Sequence, residues 1–236
     1  MSKEAPAAFR IRHEDVVLEG KVFAPAGEGP HPAVLMFSGG AGPGKTFWRA
    51  TRQLAEHGFL AVGVDMYGAH ADMSTPKAAG AYFEALLRAP ETLRARVVAW
   101  FEAVSAREDV DAARVHAIGY CFGGKCVLEL ARSGAAARSV TSFHGLLKSH
   151  APARSGEVRA RVAIWSGGRD PHAPIEDFYS VRAEFEAARA DCQATLFSWA
   201  QHSFTDPDHD GFTDGIAYDK LAHDIAWAGT LALLAS

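Results

Sequence analysis

The segment Arg114–Gly124, which reads RVHAIGYCFGG, decides the fold of this chain. We predict a strand over Arg114–Ile118 and a helix over Phe122–Arg132. Between them, Gly119–Gly124 matches the Gly-x-nucleophile-x-Gly pattern, with Cys121 where serine is commoner. The pattern needs small residues on both sides of the nucleophile because the strand-to-helix turn is sharp. It therefore predicts a catalytic cysteine between a buried strand and a helix.

Cys121 is the candidate nucleophile among three cysteines. The partial positive charge at the start of the following helix favours its thiolate form. The alternative is a buried structural cysteine beside glycines that only pack the strand against the helix. The position of the motif between a strand and a helix favours catalysis. We expect Cys126 to face the core and Cys192 to be structural.

The same alternation of strands and helices continues in both directions along the chain. Further strands are predicted at Ala33–Phe37, Phe59–Val64, Ser139–Phe143, Val162–Trp165 and Thr195–Trp199. Further helices are predicted at Thr46–His57, Glu91–Ala106, Ile175–Arg189 and Ala217–Leu234. This order indicates an α/β fold with a mostly parallel sheet and helices on both faces.

The N-terminal part predicts an antiparallel addition to this sheet. Two alternating runs, Phe9–Leu18 and Lys21–Ala24, meet at Glu19-Gly20 and resemble a β-hairpin. No linker, internal repeat or shift in composition follows. We therefore expect residues 1–236 to form a single domain.

Composition narrows the classes of function. Of 236 residues, 48% are hydrophobic and 22% charged, and the net charge is −4 without a block of Lys or Arg. We therefore expect neither a nucleic-acid nor a membrane partner. No apolar run could span a bilayer, and Met1–Glu4 does not begin a signal peptide. Three cysteines do not suggest a disulfide framework, so we predict a reduced, cytoplasmic protein.

A thiolate nucleophile needs a base and a group that orients the base. Asp170 follows the predicted strand Val162–Trp165 and a pair of glycines, and His202 follows the next strand. Functional side chains collect where parallel strands end. The chain order Cys121, Asp170, His202 is the order of nucleophile, acid and histidine expected for a nucleophile elbow.

At this point the chain resembles the dienelactone hydrolase family of α/β-hydrolases over most of its length. The resemblance rests on Gly119–Gly124, Gly167–Pro171 and His202–Thr205, and on the sequence DMYG at Asp65–Gly68. It implies an α/β-hydrolase fold and hydrolysis of a small-molecule ester or lactone without a cofactor. It also implies that Cys121 is the nucleophile, His202 the general base and then acid, and Asp170 the residue that orients His202.

Two positions depart from the family pattern. Ser38 occupies the place of a glutamate that is linked in the family to cysteine activation, so activation must differ here. Asp206, four residues after His202, replaces an arginine that contacts the substrate carboxylate. An acidic residue there repels an anionic lactone.

Further residues are predicted to form the oxyanion hole and the substrate pocket. The backbone N–H groups of Phe122 and Gly39 are expected to form the oxyanion hole. The candidate pocket residues are Ser38, Tyr120, His144, His172 and Asp206.

The segment Gly39–Thr46 supports a different function. Its sequence GGAGPGKT satisfies the P-loop pattern, and Leu60–Asp65 resembles the aspartate-bearing strand that follows in nucleotide-binding proteins. Hydrolases of this architecture also need a glycine-rich loop here, for the oxyanion hole. A P-loop protein and a non-catalytic ligand-binding member of the same fold remain the alternatives.

Overall fold

The computed structural model describes residues 5–236, except the side chain of Pro76. Met1–Glu4, for which no signal peptide is predicted, lies outside the described residues. The eight strands are β1 (Ala7–His13), β2 (Val16–Phe23), β3 (His31–Phe37), β4 (Leu60–Val64), β5 (Val110–Tyr120), β6 (Ser139–Phe143), β7 (Arg161–Gly167) and β8 (Cys192–Phe197). They form one sheet in the order β1-β2-β4-β3-β5-β6-β7-β8. Strands β3 to β8 are parallel, and β1 and β2 are antiparallel to their neighbours.

Helices cover both faces of the sheet, as predicted. They are α1 (Lys45–Glu56), α2 (Pro76–Arg88), α3 (Pro90–Ser105), α4 (Phe122–Arg132), α5 (Ile175–Ala187) and α6 (Lys220–Leu234). Strand β3 shows why both faces need a cover. Its residues Leu35 and Phe37 pack with α3 and α4, whereas Val34 and Met36 pack with α1 and α6. The mostly parallel sheet with an N-terminal hairpin confirms the predicted α/β-hydrolase fold.

The predicted hairpin exists, but the predicted position of its turn is wrong. The chain reverses at Glu14, which has φ 52°, and not at Glu19-Gly20. Gly20 lies inside β2, where a Cβ atom would be 2.8 Å from the Gly63 carbonyl oxygen and 3.0 Å from the Trp100 ring. This glycine is therefore needed for close packing and not for the turn.

Helix α2 was not predicted, and several helix and strand boundaries differ from the predicted ones. Strand β5 is longer than predicted at both ends, β8 begins three residues earlier, and α6 begins at Lys220 behind the N-cap Asp219. Within residues 5–236, no helix combines the length and apolar character needed to cross a bilayer.

Candidate active site

Cys121 lies in the sharp turn between β5 and α4. Its φ of 53° and ψ of −112° are strained for a residue with a side chain. A Cβ atom on Gly119 would overlap the Gly123 carbonyl oxygen, and one on Gly123 would overlap the carbonyl oxygen of Phe37 in β3. Glycine is therefore required at both positions, which accounts for the spacing of the motif.

Helix α4 anchors this turn in the interior. Every residue from Phe122 to Arg132 is buried. Two of its charged side chains are in ion pairs: Glu129 contacts Arg94 at 2.5 Å, and Arg132 contacts Glu184 at 2.7 Å. The third, Lys125, donates a hydrogen bond to the Lys148 carbonyl oxygen. Because each buried charged group has a polar partner, the helix can be enclosed and can hold Cys121 in place.

Asp170 and His202 meet beside this turn. His202 Nδ1 is 2.7 Å from Asp170 Oδ2, and both side chains are buried. The other carboxylate oxygen of Asp170 accepts hydrogen bonds from the backbone N–H groups of His172 (2.8 Å) and Ala173 (3.1 Å). These bonds hold the carboxylate in one orientation, in which Oδ2 points at His202 Nδ1.

Two glycines bring the loops that carry these residues together. A Cβ atom on Gly167 would overlap the Ala200 carbonyl oxygen, and one on Gly168 would be 2.8 Å from the Ser198 carbonyl oxygen. Arg169 donates its backbone N–H to the Ala200 carbonyl at 3.0 Å. The loops after β7 and β8 therefore pack backbone to backbone, which brings Asp170 and His202 into contact.

The charge of His202 is governed by its two partners. Burial disfavours the imidazolium, but hydrogen bonds with Asp170 and Cys121 outweigh burial and raise the pKa of His202 to about 10. Nδ1 faces Asp170, which leaves Nε2 as the ring nitrogen available to Cys121. A protonated His202 is thus stabilised between a carboxylate and a sulfur.

Gly39 and Phe122 also lie at Cys121. A Cβ atom on Gly39 would be 3.7 Å from the Cβ of Cys121. Phe122 is the first residue of α4, so its N–H has no intrahelical acceptor. Both predicted oxyanion-hole residues are therefore adjacent to Cys121.

A cavity of about 580 Å³ opens over Cys121 and His202. Four of the five predicted pocket residues line it: Tyr120, His144, His172 and Asp206. Ser38 is not among the lining residues, and its Oγ is 3.4 Å from the Gly39 carbonyl oxygen. Of the cavity-lining residues other than glycine, Cys121, His144 and Ser203 have positive φ, so backbone strain is concentrated here.

The chain matches the dienelactone hydrolase family over residues 18–236. It belongs to that family. Two solved structures that are 30% identical to it, m3DLH (TM-score 0.89) and a dienelactone hydrolase-like promiscuous phosphotriesterase, P91, from metagenomic libraries (TM-score 0.88), each cover 98% of this chain and 97% of their own. A putative carboxymethylenebutenolidase of Methylorubrum extorquens is 24% identical over 208 residues, or 83% of this chain and 70% of that protein.

This dienelactone hydrolase family member keeps two histidines against His202. The His144 ring is 5.1 Å from the His202 ring, and the His172 ring is 4.6 Å from it, between centroids. His144 Nε2 is 2.8 Å from Thr205 Oγ1, and burial lowers the pKa of His144 well below its usual value. His144 is therefore a neutral neighbour of the catalytic candidates.

The glycine-rich loop and Asp65 have structural roles in this hydrolase. Residues of Gly39–Gly44 form one wall of the cavity over Cys121. The Asp65 carboxylate accepts hydrogen bonds from the backbone N–H groups of Glu19, Tyr67 and Gly68, at 2.7 to 3.3 Å. These bonds occupy both carboxylate oxygens, which a P-loop protein would use for a magnesium ion. The described residues also bring no three His, Cys, Asp or Glu side chains together as a metal site.

Several cavity residues were not predicted from the sequence. Phe83 of α2 packs edge-on against Phe122 with ring centroids 5.3 Å apart, and it also contacts Gly40 closely. His209 and Phe212 belong to the loop after His202. The sequence does carry a signal for α2, because Thr75 followed by Pro76 is a typical N-cap and first helical residue.

Proposed function

We propose that this family member is a cysteine-dependent hydrolase of an ester or lactone, with Cys121, His202 and Asp170 as its catalytic triad. The observation that carries the proposal is the arrangement around His202. His202 Nδ1 is 2.7 Å from Asp170 Oδ2, Cys121 is the second group that raises the pKa of His202, and Cys121 and His202 line the same cavity. This is the nucleophile, base and orienting group that thiol-dependent acyl transfer requires.

The first half of the reaction forms a thioester. Cys121 Sγ attacks the carbonyl carbon, a C–S bond forms, and the carbonyl π electrons move to the oxygen. The backbone N–H groups of Gly39 and Phe122 stabilise this oxyanion. The oxyanion then collapses, the ester C–O bond breaks, and the leaving alkoxide takes the proton from His202 Nε2.

The second half of the reaction releases the acid. Neutral His202 removes a proton from water, and the water oxygen attacks the thioester carbonyl carbon. The C–S bond breaks and the electron pair returns to the sulfur of Cys121. The product is a carboxylic acid that ionises, and His202 is again protonated between Asp170 and the thiolate.

Turnover of p-nitrophenyl butyrate tests this proposal. We expect measurable turnover by the wild type and its complete loss in Cys121→Ala. Cys192→Ala is the matched control, because Cys192 lies in β8 and does not line the cavity. A rapid acid quench of the wild type should give a butyryl adduct on the peptide that contains Cys121. Full activity in Cys121→Ala would contradict the proposal, and absence of turnover in the wild type would favour a non-catalytic member of the fold.

Selective alkylation gives an independent test. Cys126 is fully buried, and burial raises its pKa well above the usual value. Burial, followed by the nearby charge of Asp191, raises the pKa of Cys192 to about 11. Iodoacetamide at pH 7 should therefore label Cys121 first in the native protein. Equal labelling of all three thiols would contradict an activated Cys121.

The proposal extends to the setting of the enzyme. Cys121, Cys126 and Cys192 are all free thiols, and a thiol nucleophile must stay reduced to act. We therefore propose a single-domain cytoplasmic enzyme that acts on a small-molecule substrate.

A further inference from the structure

The charges around the cavity differ from those that an anionic substrate needs. None of the described residues that line the cavity is lysine or arginine. Lys45, the cation next to the glycine-rich loop in sequence, is exposed and is not part of the lining. A carboxylate moved from water into this cavity loses its hydration without gaining a lysine or arginine as a partner.

Asp206 adds a negative charge to the cavity wall. Its Oδ1 accepts a hydrogen bond from the backbone N–H of Asp208 at 3.0 Å, and its Oδ2 is 2.8 Å from His209 Nδ1. The charge of Asp206 also acts on Tyr120. Burial and, secondly, this charge raise the pKa of the Tyr120 hydroxyl above its usual range. Tyr120 lines the same cavity and precedes Cys121.

Two of the cavity histidines do not compensate for this charge. Burial keeps His144 neutral. The positive charge of His202 is paired with Asp170 and Cys121 and is consumed when the leaving group takes its proton. His172 and His209 complete the four histidines on the wall, and His209 is already paired with Asp206 through the 2.8 Å contact. Among the described lining residues, histidines are therefore the only possible cations and Asp206 is the only carboxylate.

The remaining wall is largely apolar. Phe47, Phe83, Leu146, Phe212 and Ile216 all line the cavity. Such a surface stabilises hydrocarbon by removing it from water, at about 25 cal/mol for each Å² that is buried. These five side chains provide no hydrogen-bonding partner for a charged group.

We propose that the cavity selects uncharged esters or lactones with an apolar acyl group and rejects substrates that carry a carboxylate. This inference rests on the proposed function, since it concerns the substrate of the same site. Asp206 is the specificity-determining residue of the cavity, because its carboxylate repels an anionic substrate and attracts a cationic one.

Three p-nitrophenyl esters of matched chain length test the inference: the hexanoate, the anionic hemiadipate and the cationic 6-trimethylammoniohexanoate. The six-carbon chain is chosen because a shorter dicarboxylic half-ester attacks itself through its own carboxylate. Each kcat/KM is divided by the rate constant for hydroxide-catalysed hydrolysis of the same ester, which corrects for differences in intrinsic reactivity. We expect the corrected value for the anionic ester to be at least about tenfold below that of the hexanoate. The cationic ester should lie above the anionic one.

Asp206→Asn isolates the charge of this residue. Asparagine caps a turn as well as aspartate, so the bond to the Asp208 N–H can persist. The ratio of anionic to neutral kcat/KM should rise about fivefold. Asp214→Asn is the matched control, because Asp214 is an exposed carboxylate of the same loop that does not line the cavity. It should leave the ratio unchanged.

The outcomes separate the two proposals. No Cys121-dependent turnover of the butyrate would overturn the proposed function itself. Cys121-dependent turnover with the anionic ester equal to or faster than the hexanoate would overturn only the selectivity. An equal change in the ratio for Asp206→Asn and Asp214→Asn, or no change in either, would remove the role of Asp206.

Discussion

The turn at Gly119–Gly124 and the loop at Asp206–Tyr218 border the same cavity and differ in how tightly they are built. In the turn, backbone atoms of β3 and α4 occupy the space beside the glycines, so another residue would not fit. The loop contains one short 3-10 turn at Pro207–His209 and is mostly exposed. One side-chain hydrogen bond, from Thr46 to Asp208 at 2.9 Å, ties it to the start of α1.

This difference separates chemistry from selectivity. A strained nucleophile keeps its geometry only if the surrounding backbone cannot move. The exposed residues 207–214 of the loop can change without affecting the fold, whereas Gly215 and Ala217 hydrogen-bond to the His202 backbone. We therefore expect substitutions in the turn to abolish folding or catalysis, and substitutions in the loop to change which substrate is used.

Gly123→Ala should have the largest effect. The new Cβ atom overlaps a backbone carbonyl of β3, which has no room to move, so we expect a loss of about 3–5 kcal/mol in the free energy of unfolding or failure to fold. Gly211→Ala in the loop is the matched comparison. Its φ is 65° and a Cβ atom there meets nothing within 4 Å, so we expect a loss of about 1 kcal/mol. Urea unfolding measures both, and similar losses would contradict the contrast.

Asp170→Asn should cost activity rather than folding. Asparagine keeps an oxygen for the N–H groups of His172 and Ala173 but turns an NH₂ group toward His202 Nδ1. The histidine then has the wrong tautomer for a base at Nε2, and kcat should fall by about 10⁴-fold. Steady-state kinetics and circular dichroism check this prediction. Asp208→Asn in the loop should keep kcat within about threefold of the wild type, and a similar fall in both variants would move the orienting role away from Asp170.

The pKa of His202 predicts how stability depends on pH. Because the folded pKa of about 10 exceeds the unfolded value, pairing contributes stability that is fully present below about pH 6.5 and is lost as the pH rises to 10. The difference in free energy of unfolding between wild type and His202→Gln should therefore shrink over that interval. His57→Gln, at an exposed histidine outside the cavity, is the control. A difference that stays constant from pH 6.5 to 10 would contradict the ion pair.

Lys45→Ala should have the smallest effect, and it tests the P-loop alternative. Lys45 is an exposed residue at the start of α1, so ester turnover and stability should change by no more than about 0.5 kcal/mol. We expect no rise in Tm with Mg²⁺-ATP or Mg²⁺-GTP. A saturable rise that Lys45→Ala abolishes would establish nucleotide binding by linkage.

Local patterns predicted much of the fold and of the candidate site. Continuous apolar runs such as Ala33–Phe37 indicate strands buried on both faces, and the glycines around Cys121 indicate a turn without room for side chains. Asp170 and His202 each lie shortly after the end of a predicted strand. These features could be predicted because their cause lies within a few residues of chain.

Other features depend on contacts between distant parts of the chain. Gly20 was interpreted as a turn residue, but it makes room for Gly63 and Trp100, which come from β4 and α3. Phe83 forms a cavity wall because α2 packs over the glycine-rich loop.

The sequence by itself determined the strand–turn–helix around Cys121 and the residue types that follow the later strands. The tertiary structure alone decided that no described residue on the cavity wall is a lysine or arginine, and that the charge of Asp206 acts on Tyr120. The physical reason is range. Backbone sterics act between neighbours in the chain, whereas the electrostatic field in a cavity sums over every element that the fold brings to its walls.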